Sequence, residues 1–186
     1  MPGLEAWLVD EKGNRLADQG SQGELVVKAP FVSAGYWNKP EETAAKFSHT
    51  SDGDSILHTG DIFRTDQHGY FYFVSRKDDI IKSRGEKVPP RLVEDLLTEL
   101  PQVLEVAVIG LPDPILGEAV SAYIVLRSDH ALSEQEVRAY CSRHLENFMC
   151  PKFINFVTDL PKTHSGKIAR RELKDRVLSG LKGEAA

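Results

Sequence analysis

Between Ser75 and Asp79 the patterning of this 186-residue sequence changes character, and that change constrains the fold more than any single motif. Before it, the apolar stretches are short. Leu4–Asp10, Glu24–Ala29, Ile62–Arg64 and Tyr70–Val74 read as strands, broken by polar turns at Glu11–Asn14 and Asp18–Gly23. The last two form a hairpin across Thr65–Gly69. One short helix opens at Asn38–Glu42 and ends near Phe47. There Pro40 is pre-set for the first helical position, and two glutamates suit the positive end of the dipole. Ser33–Trp37 reads as a loop and Ser48–Ser55 as a polar loop tip.

After Asp79, strands alternate with helices. Pro89-Pro90 opens a helix with Leu92, Val93, Leu96, Leu97 and Leu100 on one face, and Pro101 stops it. Val103–Leu111, Ala119–Leu126 and Phe153–Val157 read as strands, with a rigid turn across Leu111–Glu118. Ser133 and Glu136 form a capping box for a helix striped by Val137, Tyr140, Cys141 and His144. Leu160–Ile168 reads as a loop and Ala169–Leu178 as a terminal helix. The order predicts an α+β chain in two parts. A small β-rich part covers residues 1–76. A compact α+β part covers 77–186, with a central mixed sheet flanked by helices and a boundary at Lys77–Asp79.

Charge and composition exclude several classes. The net charge of −5 gives no overall footprint for nucleic acid, and glutamate and aspartate interrupt the basic run Lys162–Arg176. No apolar run is long enough to cross a membrane, and Met1–Trp7 lacks the features of a signal peptide. Two cysteines make no disulfide framework, and a reducing cytoplasm is the simplest setting. Six scattered histidines show no metal-ligand spacing, so no metal site is expected in these residues.

Three stretches carry possible chemistry. In Thr163–Ile168 a lysine follows Ser-Gly on a loop that a ligand can approach closely. Lys167 is either an exposed cation or one placed between two anions that must merge. The run lacks the first glycine of a nucleotide-triphosphatase phosphate loop. In His58–Asp61, the Asp61 carboxylate is either a turn cap or an acceptor for two neighbouring sugar hydroxyls. Arg76 offers a planar fork of donors toward the same sugar, or a surface ion pair with Asp78 or Asp79. Lys82, Arg84 and Lys87 surround Gly85, as a phosphate-receiving cluster or as a solvated loop before a helix. No cysteine or histidine nucleophile constellation is present.

The order of these stretches resembles the last part of the adenylate-forming enzyme superfamily, which includes acyl-CoA synthetases, peptide-synthetase adenylation domains and luciferases. The resemblance rests on eight blocks in the family order. They include GELVVKAP (23–30), GYWNKPEET (35–43), HTGD (58–61), SRKDDIIKSRGEKV (75–88), PDPILGE (112–118) and LPKTHSGKIARR (160–171). The acyl-CoA synthetase branch is the nearest.

The resemblance implies two half-reactions: a carboxylic acid and ATP give an acyl-adenylate and pyrophosphate, then CoA displaces AMP. It implies that Asp61 and Arg76 hold the ribose and that Lys87 meets phosphate. Lys167 would serve adenylation and Lys82 the thioester step. Asp78 would be the hinge, and Gly85 and Arg84 would line the pantetheine passage. Residues 1–76 would close a large N-terminal domain whose phosphate loop, Mg2+ ligand and acyl pocket lie elsewhere, so the chain alone would be inactive. An adenylation domain that loads a carrier protein, or a non-catalytic module keeping the fold, would share these blocks.

Overall fold

The computed structural model describes residues 3–50 and 53–183. They form two compact units, Met1–Asp78 and Asp79–Ala186.

The first unit is built on an antiparallel sheet. Strands β1 (Glu5–Val9), β2 (Arg15–Leu16), β3 (Gln22–Lys28), β4 (Phe47–His49), β5 (Ser55–Thr65) and β6 (Phe71–Arg76) are arranged in the order β2-β1-β3-β5-β4, and β6 also pairs with β5. Leu8, Val9, Val26 and Val74 supply its buried side chains. Helix α1 (Pro40–Lys46) begins with Pro40 in its first turn, as expected.

Two expectations are corrected here. The segment from Ser48 is not all loop: Phe47–His49 pairs with Ser55–Leu57, while Ser51 and Asp52 of that stretch lie outside the described residues. His58–Asp61 does not precede a strand but lies inside β5. The pairing to β3 passes from Glu24↔Ile62 to Val26↔His58, so Thr59, Gly60 and Asp61 stand opposite Leu25 alone. Such a bulge bends a strand and re-aims its side chains. The turn chemistry of T-G-D hid the strand that continues through it.

The second unit is a mixed sheet between helices. It contains β7 (Ile81–Ser83), β8 (Glu86–Val88), α2 (Pro90–Thr98), β9 (Val103–Asp113), β10 (Gly117–Leu126), α3 (Glu134–His144), β11 (Phe153–Phe156) and α4 (Arg170–Gly183). Strand β10 is central. β9 runs antiparallel along one edge, while β11 (parallel) and β7 (antiparallel) share the other.

Alternate residues of β9 and β10 face two separate cores. Val106, Val108, Val120, Ala122 and Ile124 pack with Val93, Leu97, Val137 and Cys141 of α2 and α3. Ala107, Ile109, Tyr123 and Val125 pack with Leu160 and with Leu173 of α4. Burial on both faces explains why these strands read as continuous apolar runs. Each fully buried Val, Leu or Ile contributes about 1.5–3 kcal/mol.

The capping box forms as expected. Glu136 N–H donates to Ser133 Oγ (3.3 Å), and Ser133 N–H donates to Glu136 Oε2 (2.8 Å). The stripe read on α2 is narrower than its leucines suggested: Val93 and Leu97 are fully buried, but Leu92 is exposed and Glu94 is buried instead. The loop expected between Lys82 and Lys87 is a hairpin. Ser83 pairs with Glu86, and Arg84 (φ 56°) and Gly85 (φ 81°) both have positive φ, as in a type I′ turn. Short strands rich in charge gave no apolar alternation from which to read it.

Candidate functional site

The first unit presents Asp61 and Arg76 as a cross-strand pair. They are directly opposite in the β5–β6 register, and Arg76 Nη1 donates to Asp61 Oδ1 at 2.5 Å. Arg76 therefore partners neither Asp78 nor Asp79, the bland reading of its sequence. Both side chains remain partly open to solvent (28% for Asp61, 46% for Arg76). Arg76 Nη1 also donates to Thr59 O (3.4 Å). The second Asp61 oxygen with Nε and Nη2 of Arg76, which have no hydrogen-bond partner among the described residues, is an acceptor–donor set that suits a vicinal diol such as that of ribose.

The bulge that aims Asp61 is held by three bonds. Thr59 Oγ1 donates to Leu25 O (2.8 Å), Asp61 N–H donates to Thr59 Oγ1 (3.1 Å), and Gly60 N–H donates to Glu24 Oε1 (3.0 Å). Gly60 sits at φ 73°, in the left-handed region where a side chain costs about 1–2 kcal/mol.

Sequence reading missed Glu24. It is 6% exposed on the same face of β3 as buried Val26, and it binds Gly60 and, through Oε2, Lys77 Nζ at 2.7 Å. Burial alone pushes its carboxyl up. The Lys77 ammonium, the Gly60 N–H and the nearby positive charge outweigh this and hold it below the usual carboxylate range. The available signal was a lone charge at an inward-facing strand position.

In the second unit Lys82 and Lys87 are directly opposite across β7 and β8, so their side chains share one face of the hairpin. At the tip, Arg84 N–H donates to Leu116 O (2.9 Å). A Cβ on Gly85 meets nothing within 4 Å, so in this unit it is φ rather than crowding that calls for glycine. Glu118 anchors the hairpin to the sheet. Its Oε2 accepts Lys82 N–H and its Oε1 accepts Lys174 Nζ, both at 2.9 Å.

Lys167 projects from an exposed turn closed by Thr163 N–H to Lys167 O (2.8 Å), Gly166 N–H to Thr163 O (2.9 Å) and a bridge between Lys162 and Ile168. Lys162 Nζ pairs with Glu105 (2.6 Å), which sits opposite Val125. The hairpin, by contrast, joins β10 at Gly117. Gly117 and Val125 are eight residues apart on one strand, about 27 Å. The two lysine-bearing elements thus lie at opposite ends of β10.

Behind the Lys167 turn, Arg170 donates from Nε (3.0 Å) and Nη2 (2.5 Å) to the two oxygens of Glu94, which also accepts Val108 N–H (2.8 Å). This network was not read from sequence, because Glu94 and Arg170 are 76 residues apart and only the fold brings them together.

Asp78 is exposed within the 3-10 turn Lys77–Asp79, and the two units divide immediately after it. Among the described residues no three His, Cys, Asp or Glu side chains cluster as metal ligands. No helix among them is long and apolar enough to cross a membrane.

The sequence and structure match known proteins throughout. The model of the AMP-binding enzyme C-terminal domain matches residues 92–167. The chain is 40% identical to a long-chain-fatty-acid–CoA ligase of Salmonella typhimurium over 185 residues, covering 100% of this chain and 32% of the relative. It is 41% identical to a ligase of the same description from Bacillus subtilis over 172 residues, covering 92% of this chain and 30% of the relative.

Among solved structures, ATP-bound MatB from Rhodopseudomonas palustris superposes with a TM-score of 0.84 at 33% identity, covering 95% of this chain and 34% of that one. The o-succinylbenzoate CoA synthetase of Bacillus subtilis, in complex with its acyl-adenylate intermediate, gives 0.83 at 31% identity over 94% and 34%. The chain spans about a third of the length of the curated relatives it matches. It matches the C-terminal portion of members of the adenylate-forming enzyme superfamily.

Proposed function

We propose that this chain is the C-terminal part of an AMP-forming acyl-CoA synthetase, joining a carboxylic acid to CoA at the expense of ATP. The observation that carries the reading is the placement of two lysine-bearing elements at opposite ends of β10. One small unit can then serve two half-reactions in turn, if it rotates between them.

In the first half-reaction Asp61 and Arg76 hold the ribose. Lys167 stands between the attacking carboxylate and the α-phosphate. Two anions must merge there, so a fixed cation lowers the barrier more than it aids binding. In the second, the unit turns about Asp78. The β7–β8 hairpin then replaces the Lys167 turn, with Lys82 serving thioester formation, Lys87 meeting phosphate, and Arg84 and Gly85 lining the pantetheine passage. Release of AMP completes the cycle.

Residues 1–76 are, on this reading, the last subdomain of the large N-terminal domain. The exposure of Trp37 (90%) and Phe31 (62%) supports a surface that further chain covers. Mg2+ would bind outside the described residues. The names of the relatives favour fatty acids as substrates. The 186 residues alone are expected to release no pyrophosphate.

The test uses the ligase that carries this segment. Pyrophosphate exchange and thioester formation from pre-formed acyl-adenylate are measured separately with a panel of carboxylic acids. Lys167→Ala is expected to lower exchange by about 100-fold or more, the scale of one lost transition-state group, and to spare the second step. Lys82→Ala is expected to do the reverse. Equal rates in both assays for both variants would falsify the assignment.

A further inference from the structure

Lys77 and Asp79 flank Asp78, and each is tied into its own unit by an ion pair. Lys77 Nζ reaches Glu24 Oε2 at 2.7 Å, and Glu24 is itself fixed to β5 through Gly60 N–H at 3.0 Å. Asp79 Oδ2 lies 3.6 Å from Arg170 Nη1, and Arg170 is locked to Glu94 by two further bonds of 2.5 and 3.0 Å. Glu94 in turn holds Val108 N–H of β9. The anchoring carboxylates Glu24 and Glu94 are 6% and 7% exposed, so both sit where water competes little. Between the two ties, Asp78 is exposed, and its side chain makes no hydrogen bond or ion pair among the described residues.

We propose that Glu24 and Arg170 are positioning residues that confine the swivel of the chain to Asp78 alone. The inference rests on the two-step reading above and deepens it. A swivel of one residue has only that residue's φ and ψ to change, so the second unit travels along a narrow path between defined stations. If Lys77 is released, the preceding residues join the motion. If Asp79 is released, the following ones do. In either case the lysines arrive over a broader range of positions, and reacting groups tolerate little misplacement.

The experiment is backbone 15N relaxation on the 186-residue chain. For the wild type, a dip in order parameter below about 0.6 at Asp78 is expected, between neighbours near the rigid value of about 0.85. Lys77→Met should extend the dip toward Arg76 only, and Asp79→Asn toward Ile80 only. Lys77→Arg should restore the wild-type profile. Lys77 is the solvent-side member of its pair, and the Asp79–Arg170 pair is partly exposed on both sides, so the fold should persist, which dispersed amide spectra would verify. A general loss of stability would not produce this directionality. A flat wild-type profile, or variants that loosen both sides alike or neither, overturns the proposal. Asp78→Pro in the ligase separates the two levels of inference. If it blocks one half-reaction while the two substitutions leave the profile unchanged, only the role of the ion pairs fails. If it leaves both half-reactions at wild-type rates, the two-step rotation itself fails, and the proposal with it.

Discussion

Replacing Arg170 with Met removes the cation from a largely buried pair while keeping most of the aliphatic stem. Glu94, at 7% exposure, then retains only the Val108 N–H. Breaking a buried pair from one side costs about 3–5 kcal/mol, because the remaining charge stays desolvated. The Arg170 side chain is 30% exposed, and water can partly replace it, so the lower end applies, about 3 kcal/mol. With a urea slope of about 1.5–2 kcal/mol per M for a unit of this size, the midpoint should fall by about 1.5–2 M.

The two units can be followed separately. Both tryptophans, Trp7 and Trp37, lie in the first unit, while α2, α3 and α4 lie in the second. Far-UV circular dichroism should therefore shift while the tryptophan fluorescence transition stays in place. Combining Arg170→Met with Glu94→Gln should cost less than the two singly, by 1 kcal/mol or more, since each removes the same interaction. A midpoint shift under about 0.5 M, or strict additivity in the double variant, would mean that the pair is screened like a surface one, and the reasoning would be wrong.

Three further outcomes are expected. Lys152, with the Leu116 and Ile115 N–H groups, holds the Asp113 carboxyl down at about 2 from an ordinary 3.8. Its folded-state value is depressed, so its stabilisation is complete above pH 3.8 and lost as pH falls toward 2. Urea midpoints by circular dichroism should differ between wild type and Asp113→Asn by a constant amount above about pH 5, and converge below pH 3.8; convergence already at pH 6 would contradict this. Arg84 holds φ 56° in the hairpin turn, so Arg84→Asn should raise the second unit's stability by about 0.5–1 kcal/mol, asparagine being better suited to that conformation; a lowered urea midpoint would show that Arg84 contacts outweigh its backbone cost. Burial pushes the Cys141 thiol up to about 11, so at pH 7.5 an aromatic disulfide reagent should leave it unmodified until urea unfolds the second unit; rapid stoichiometric labelling of both thiols in the native chain would count against that packing.

The elements legible in the sequence were those whose information is local. The capping box at Ser133 and Glu136, the proline start of α1 and the apolar runs of β9 and β10 depend on neighbours three or four residues away or on burial of every residue in a row. Asp61, Arg76, Lys82 and Lys167 were singled out because short motifs surround them, and motif order identified the family. The bulge at Thr59–Asp61 and the hairpin at Ser83–Glu86 were not legible. One requires the register against β3, and the other is stabilised by Gly117 and Leu116, more than thirty residues away.

What the sequence by itself determined, then, is two units, their class, and the residue types available for chemistry. The tertiary structure alone decided that Asp61 meets Arg76, that the lysines at 82 and 167 stand at opposite ends of β10, and that Glu24 and Glu94 are buried partners rather than surface charges. The physical reason is that local propensity acts over a few residues. A carboxylate is stable inside a protein only where distant segments bring a cation and backbone N–H groups to it, and that convergence exists only once the chain has folded.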